Sequence, residues 1–393
     1  MSGMGTGPKA NAATDLESIE TEQLGFQALA SENKVRLLPT PWSSEQFPIT
    51  TASLLSVASG RGLLAAAGPD ALVIATTESV RQAASSGSKD KTKQGFKPQA
   101  TIPVPRVSHV VFSSDESCLV ISAEEGGGLA VYDTNGLLNG NKESAFQVTT
   151  NGVAVRQILA NPSKDNSHQF GLVLGNGQLL LADLKQRQLV NGAGGSPVFM
   201  ENVSCACWSR LGKQIVAGLA DGTAAQIDLQ GNVKAVIPKP PQLMAHRDPQ
   251  EQGMPVSAIY WLETADFLMI HSPINPPADG DGMGPRNDSE YHLVHREKSS
   301  GDCSYHHFMD PCPGFMEQRV PTHHFIQRLR EWPPSLDDTL ILSSTISSDI
   351  GAITRSKTPL SQDFPADKIT HMYTTTTPLE LSLIHISEPT RPY

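Results

Sequence analysis

Short apolar runs alternate with glycine-containing turns along most of this chain. The stretch Cys205–Asp228, CACWSRLGKQIVAGLADGTAAQID, holds the clearest unit of the pattern. It predicts three strands, near 206–209, 214–218 and 223–228, separated by turns at 210–213 and at the Asp-Gly pair 221–222. Gly and Asp tolerate the positive φ angles of tight hairpins, and apolar or β-branched residues suit a half-buried sheet. The unit therefore predicts an antiparallel meander.

The unit recurs with a nearly constant period. One marker, the third residue of a repeated apolar segment, falls at Phe112, Ala160, Trp208 and Trp261. These positions stand 48, 48 and 53 residues apart. A second marker, the Asp that ends a Gly turn and strand, falls at Asp133, Asp183 and Asp228. Two markers with one period are typical of propeller blades, which are about 40 to 50 residues long. A β-sandwich with evenly spaced hairpins is the alternative.

Composition supports an all-β repeat protein. The chain has 393 residues, more than one compact core usually holds, so two domains or a repeat array are expected. Only 18% of residues are charged, whereas Gly and Pro number 32 and 29, which favours turns over long amphipathic helices.

The net charge indicates which kind of partner is expected, and the cysteines indicate the redox compartment. The net charge of −10 gives no support for direct nucleic acid binding and makes a basic protein surface the more natural partner. Five cysteines without a signal-peptide pattern indicate reduced thiols inside the cell. No apolar run reaches the roughly 20 residues of a membrane helix, so no membrane insertion is expected.

The chain divides into three predicted regions. Residues 1–22 have almost nothing to bury and are predicted to be a disordered tail, and residues 23–377 to be the propeller. Within the propeller, the segment 24–38 is predicted to complete the sheet formed by the other end of the chain. The blades are predicted to follow at about 52–106, 107–150, 153–191, 203–237, from 256, and to about 377.

Two polar stretches interrupt the blades. The lysines of 85–98 indicate a solvated loop more than a nucleic-acid patch, since only Phe96 accompanies them. A long expansion in the fifth blade, INPPADGDGMGPRNDSE, is either disordered or a binding loop.

The sequence offers no set of catalytic residues. There is no G-x-S-x-G elbow, and the repeated strand-end aspartates occupy a position where a carboxylate accepts turn amides. One candidate zinc site consists of Cys303, His306, His307 and Cys312, whose C-x2-H-H-x4-C spacing offers thiolate and imidazole ligands. Adjacent strand residues face opposite sides, so His306 and His307 do not ligate together easily, and the same holds for the His323–His324 pair and for His292 and His295. We therefore expect no enzyme activity, no metal and no cofactor.

Several strings resemble one known family. They are LGFQALASENKVRLL, GLLAAAGPDALVIATTESVR, AEEGGGLAVYD, GKQIVAGLADGT, HHFIQRLREWPP and SSDIGAITRSKTPL. Together they resemble the N-terminal β-propeller of the fungal cytoplasmic-face FG nucleoporin. The resemblance implies a seven-bladed propeller at the cytoplasmic side of the nuclear pore complex, which works with other nucleoporins and docks a DEAD-box RNA helicase for mRNA export. A generic WD-repeat-like scaffold for other protein partners is the alternative.

The end of the chain departs from this family. The string LSLIHISEPTR, 381–391, is similar to the translated frame of a transposase sequencing adapter, which predicts that 378–393 is adapter-derived. A genuine strand is the alternative. If the segment is adapter-derived, about six blades are present, the last is truncated, and the seventh is missing.

Acidic residues are the candidates for contact with a basic partner. The candidates are Asp337 and Asp338, ahead of the DTLILSST strand, and Asp349 with Arg355 in SSDIGAITRS. Weaker candidates in the fifth-blade expansion are Asp279, Asp281, Asp288 and Glu290. For each acid, a solvated turn residue is the alternative interpretation.

Overall fold

The computed structural model describes 35–43, 51–85, 97–241, 243, 254–272 and 289–308, with the backbone of four further strands between 323 and 378. The predicted tail 1–22 and all but the first residue of 378–393 lie outside the described residues.

Every sheet in the described part of the chain is antiparallel and follows chain order. The first sheet contains β1–β4: Leu55–Ala58, Leu63–Ala67, Ala71–Thr76 and Ala100–Pro103. The second contains β5–β8: Val107–Phe112, Cys118–Ala123, Leu129–Asp133 and Phe146–Val148. The third contains β9–β13: Val155–Ala160, Gln169–Leu174, Leu179–Asp183, Gln188–Leu189 and Val198–Met200. In the third sheet, both β12 and β13 pair with β11.

Three further sheets have the same order. The fourth contains β14–β17: Val203–Trp208, Gln214–Leu219, Ala224–Asp228 and Val233–Ile237. The fifth contains β18–β21: Val256–Glu263, Asp266–His271, Glu290–Arg296 and Cys303–Phe308. The sixth contains β22–β25: His323–Arg328, Thr339–Ser344, Asp349–Arg355 and Met372–Pro378. The described residues thus form six consecutive sheets, five of four strands and one of five, which match the six predicted blades.

Among the described residues, two short α-helices and a 3₁₀ turn at Lys164–Asn166 lie between strands. Helix α1, Thr77–Ser85, follows β3, and helix α2, Thr134–Leu138, follows β7. Neither was predicted, because one or two helical turns are too short to give a helical period. Helix α2 begins where Asp133 Oδ2 accepts a hydrogen bond from the Gly136 amide at 2.6 Å, an N-cap contact. None of the helices in the described ranges has the length and apolarity to cross a membrane.

The chain divides into two compact units. One consists mainly of Phe26–Ile215 and contains the first three sheets, and the other consists mainly of Val233–Pro378 and contains the last two. In the first unit, apolar side chains of neighbouring sheets form shared clusters. One cluster joins Leu72 and Ile74 to Leu119 and Ile121, and a second joins the second sheet to Phe170 and Leu172 of the third. In this unit, the first sheet therefore buries apolar side chains against the second, and the second against the third.

The first strands of consecutive sheets lie side by side in that unit. Ser53, which lies just before β1, forms a parallel bridge with His109, which lies within β5. The Gln157 side chain on β9 accepts a hydrogen bond from the Ala206 amide on β14 at 2.9 Å. This arrangement of first strands, with each sheet packed on the next, is that of propeller blades.

Both sequence markers occupy equivalent places in the sheets. Phe112, Ala160 and Trp208 end the first strands of three consecutive sheets, and Trp261 lies near the end of β18. Asp133, Asp183 and Asp228 end third strands. Each aspartate accepts at least one turn amide; Asp228 Oδ1 accepts two, from Gln230 at 3.0 Å and Asn232 at 2.9 Å. The structural interpretation of these acids is confirmed.

The predicted closing segment 24–38 is described only from residue 35. Residues 35–38 contain no strand, and Leu38 and Trp42 pack on Ala66 and Val73 of the first sheet. The Trp42 indole N–H also donates to the Ala67 carbonyl at 3.4 Å. The described part of the segment is thus an irregular strap across the first sheet.

Candidate functional site

The two strongest sequence candidates lie at opposite ends of one strand. Asp349 begins β24 and pairs with Pro378, whereas Arg355 ends β24 and pairs with Met372. Six residues of extended strand span about 20 Å, so the two residues mark separate points along β24 and do not form a pair.

The other acidic candidates divide into two groups. Asp337 and Asp338 immediately precede β23, and Asp279, Asp281 and Asp288 precede β20; all five lie outside the described residues. Glu290 is described, and it was expected in the fifth-blade loop. It is instead the first residue of β20, paired with His271 of β19. The loop assignment was wrong for Glu290, because the strand begins one residue earlier than the apolar run YHLVHRE suggests.

Glu290 lies on the fifth sheet beside a row of three histidines, His271, His292 and His307. His292 lies two residues along β20, and directly opposite it on β21 is His307. Since side chains two apart and cross-strand partners share a face, these three side chains project together. The ligand atoms of Glu290, His292 and His307 all lie within 4.8 Å of one another. The rings of His292 and His307 stack with centroids 5.0 Å apart.

His292 lies in an unusual environment. The side chain is fully buried, and neither ring nitrogen has a hydrogen-bond partner among the described residues. A buried polar group without a partner costs about 1 to 3 kcal/mol. Burial, and then the neighbouring rings of His271 and His307, lower the pKa of His292 to about 2, so the ring is neutral. Glu290 Oε2 lies 3.9 Å from His292 Nε2, beyond hydrogen-bond distance.

His271 completes the row beside His292. The two rings meet edge to face at 5.3 Å. His271 Nε2 lies 3.0 Å from the Gly222 carbonyl oxygen, and since a carbonyl only accepts, Nε2 carries the proton. Burial lowers the pKa of His271 to about 4.

The zinc set considered from sequence does not form on the described residues. His307 pairs with His292 and the adjacent His306 pairs with Leu293, so the two histidines lie on opposite faces, as the strand argument predicted. Cys303 is four residues from His307 on β21, and Cys312 lies outside the described residues. Sequence reasoning missed His292 with His307, because their approach depends on the β20–β21 register. The hairpin around Glu297–Asp302, between YHLVHRE and CSYHHF, was the available signal.

A second buried histidine, His109, forms a hydrogen-bonded cluster with two serines. His109 Nδ1 lies 2.9 Å from Ser108 Oγ and 3.3 Å from Ser122 Oγ. All three side chains are at most 2% exposed, so no substrate reaches either hydroxyl. The serine–histidine contact therefore joins β5 to β6 and is not a nucleophile with its base.

A surface groove of about 720 Å³ is lined by residues of the first three sheets and their connections, including Pro103, Tyr132 and Arg187. The guanidinium of Arg187 lies over the Phe146 ring at 4.9 Å. No acidic side chain lines this groove, so none of the sequence candidates belongs to it.

Consecutive antiparallel sheets, whose strand-end aspartates accept the amides of the following turns, define a β-propeller. Comparison with known proteins identifies the family to which this propeller belongs. The family model for the NUP159/214 beta propeller matches residues 48–378, and the chain therefore belongs to that family. The nucleoporin resemblance, the all-β propeller fold and the non-enzymatic assignment are confirmed by this membership.

Individual relatives agree with the family. The chain is 45% identical over 377 residues to nucleoporin NUP159 of Chaetomium thermophilum, which covers 95% of this chain and 24% of the relative. It is 25% identical to human nuclear pore complex protein Nup214, over 86% of this chain and 15% of the relative. The chain thus spans a quarter or less of the length of these relatives.

A solved Saccharomyces cerevisiae complex also has a chain of this fold. The complex contains Dbp5 bound to Nup159, Gle1, IP6 and ADP, and its matching chain has a TM-score of 0.63. The match covers 90% of this chain and 85% of that one, at 15% sequence identity. At that identity, the likeness concerns the fold alone.

Proposed function

We propose that this propeller acts at the cytoplasmic face of the nuclear pore complex, with other nucleoporins, as the docking platform for a DEAD-box RNA helicase in mRNA export. One observation carries the proposal: a member of the family to which this chain belongs is bound to Dbp5 in a solved complex. The platform holds the helicase where messenger ribonucleoprotein leaves the pore, and the helicase supplies the chemistry.

Charge supports a basic protein partner. The chain carries a net charge of −10, and helicases present basic surfaces to RNA. Complementary potentials speed association and fix orientation more than they raise affinity. The docking edge that we propose runs along the sixth sheet, with Asp349 at the start of β24 and Arg355 at its end. Asp337 and Asp338 immediately precede β23, which begins at the Arg355 end of β24 because the two strands are antiparallel.

The roles within this edge differ. Asp349 and the Asp337–Asp338 pair attract basic side chains of the helicase. Arg355, about 20 Å from Asp349 along β24, meets an acidic group of the partner and so fixes the direction in which the partner docks. Such rim charges act mainly on the association rate and its salt dependence.

Charge reversal at Asp349 tests the edge. We would measure binding of the immobilised full chain to the helicase in its ATP-bound and ADP-bound states, at low and at physiological salt. Asp349→Lys is expected to weaken binding about tenfold at low salt and less at higher salt, because screening removes part of the effect.

A matched control separates a local effect from a change in net charge. Glu201→Lys makes the same change of charge in the exposed turn between β13 and β14, far along the chain from β24. It should leave binding within about twofold of the unmodified chain. Equal losses for both variants, or a loss for neither, would overturn the proposed edge, whereas absence of helicase binding by the unmodified chain would overturn the proposed function.

A further inference from the structure

We propose that Glu290, His292 and His307 bind a divalent transition-metal ion, Zn²⁺ above all, on the fifth sheet. The inference is independent of helicase docking and concerns a different sheet from the proposed edge. It begins from a single anomaly: the fully buried ring of His292 has no hydrogen-bond partner for either nitrogen among the described residues.

The three side chains are already gathered. Register places His292 and His307 opposite each other on β20 and β21, and Glu290 precedes His292 by two residues on the same face. Their ligand atoms lie within 4.8 Å of one another. In a tetrahedral zinc site with bonds of about 2.0 to 2.1 Å, ligand atoms stand about 3.4 Å apart. Each ligand atom therefore needs to move by about 1 Å or less.

Small side-chain rotations supply that movement. The His292 and His307 rings are stacked within 19° of parallel, so their in-plane lone pairs do not yet converge. Rotation about the final side-chain bond of histidine is soft, and binding of the ion would require both rings to turn toward a common point. Glu290 Oε2 lies 3.9 Å from His292 Nε2 and would supply the third ligand atom.

The ligand chemistry favours zinc over calcium or magnesium. Two imidazoles and one carboxylate form a donor set typical of Zn²⁺, whereas hard cations prefer oxygen ligands alone. Neutral imidazole is the form that coordinates a metal ion. His271 packs against His292 and hydrogen-bonds to the Gly222 carbonyl, so it bounds the site on the side of β19.

A bound ion would give the fifth sheet a cross-link. It would join β20 to β21 through His292 and His307, across the hairpin at Glu297–Asp302. It would also occupy the lone pair that His292 leaves unpartnered. A ligand that binds the folded chain alone stabilises it by mass action. The expected consequence is a zinc-dependent increase in thermal stability.

The test uses the full chain, stripped of metal by a chelator and then titrated with Zn²⁺ in a calorimeter. One Zn²⁺ per chain is expected at this site. His307→Gln and Glu290→Gln, each close in size to the residue that it replaces, should weaken that binding at least tenfold. The rise in Tm on adding Zn²⁺ should disappear with it.

The chain offers a control one residue away. His306→Gln changes the neighbouring histidine on the opposite face of β21, and it should bind Zn²⁺ as the unmodified chain does. Failure of the unmodified chain to bind Zn²⁺ would overturn the site. So would equal affinity of His307→Gln and the unmodified chain, or equal losses for His306→Gln and His307→Gln, since either result places the ion elsewhere.

Discussion

The side chain of Asn161 fills the space where a side chain at Gly212 would begin. Asn161, directly after β9, donates from Nδ2 to the Gly212 carbonyl at 2.9 Å, and its Oδ1 lies 1.8 Å from the position of a Cβ at residue 212. Gly212 also has a φ of +66°, in the left-handed region. The turn between β14 and β15 thus fits onto the third sheet through a contact that only glycine allows.

Gly212→Ala is therefore expected to destabilise the protein by several kcal/mol, about 1 kcal/mol from the positive φ and the remainder from displacing Asn161 and its hydrogen bonds. Urea unfolding followed by circular dichroism measures it. Gly194→Ala is the matched control, because Gly194 has nothing within 4 Å of the added Cβ, and it should change stability by less than about 0.5 kcal/mol. A Gly212→Ala variant as stable as the control would contradict the contact.

Trp208 joins two consecutive sheets by a hydrogen bond. Its indole Nε1–H donates to the Leu159 carbonyl at 2.9 Å, and the side chain is 5% exposed. Trp208→Phe keeps most of the buried ring and removes the donor, so a loss of about 1 to 2 kcal/mol is expected. Trp208→Ala removes the ring as well and should cost about 3 to 5 kcal/mol. An unchanged denaturant midpoint for Trp208→Phe would show that the hydrogen bond contributes nothing.

Glu116 makes a comparable connection between the first two sheets. Its two carboxylate oxygens accept hydrogen bonds from the backbone amides of Gly60 at 2.9 Å and Arg61 at 2.8 Å. Bonds to a charged acceptor contribute more than neutral ones, so Glu116→Ala should destabilise by about 1 to 3 kcal/mol. Glu143→Ala, at an exposed acid of the same unit, is the control and should lie within about 0.5 kcal/mol of the unmodified chain. Thermal unfolding of both variants checks this expectation.

Buried histidine makes stability depend on pH. Burial lowers the pKa of His109 to about 4, below the 6.5 of an unfolded histidine. Below pH 6.5 the unfolded chain therefore binds a proton that the folded chain does not, and stability falls as pH decreases toward 4. A histidine in that window contributes a slope of about 1.4 kcal/mol per pH unit. His109→Asn should make the measured slope shallower by about that amount between pH 6 and 4.5, and an unchanged slope would contradict the assignment.

The repeat, the strand order and the number of sheets could be predicted from the sequence. Phe112, Ala160 and Trp208 mark equivalent strand ends. Phe112 and Ala160 pack in clusters shared by neighbouring sheets, and Trp208 donates to Leu159 of the preceding sheet. Asp183 and Asp228 were predictable for a local reason, since a strand-end carboxylate finds its partners within the following turn. Local chemistry and a period are both visible in a single sequence.

The features that the sequence did not predict are short segments and contacts that depend on strand register. Helix α1 has nine residues, Thr77–Ser85, and follows a strand whose apolar run conceals the change. The approach of His292 to His307 depends on how β20 aligns with β21, and a shift of one residue would place His306 there instead. Glu290 resembled a loop acid, because an acidic stretch precedes it. The helicase-docking edge stays a prediction, resting on family likeness and charge.

The most direct test of the account is a calorimetric titration of this chain with the DEAD-box helicase of the same source, beside a titration with single-stranded RNA alone. The account predicts saturable one-to-one binding to the helicase that weakens as salt is raised, and no measurable binding to RNA, given the net charge of −10. A chain that binds RNA and leaves the helicase free would contradict it.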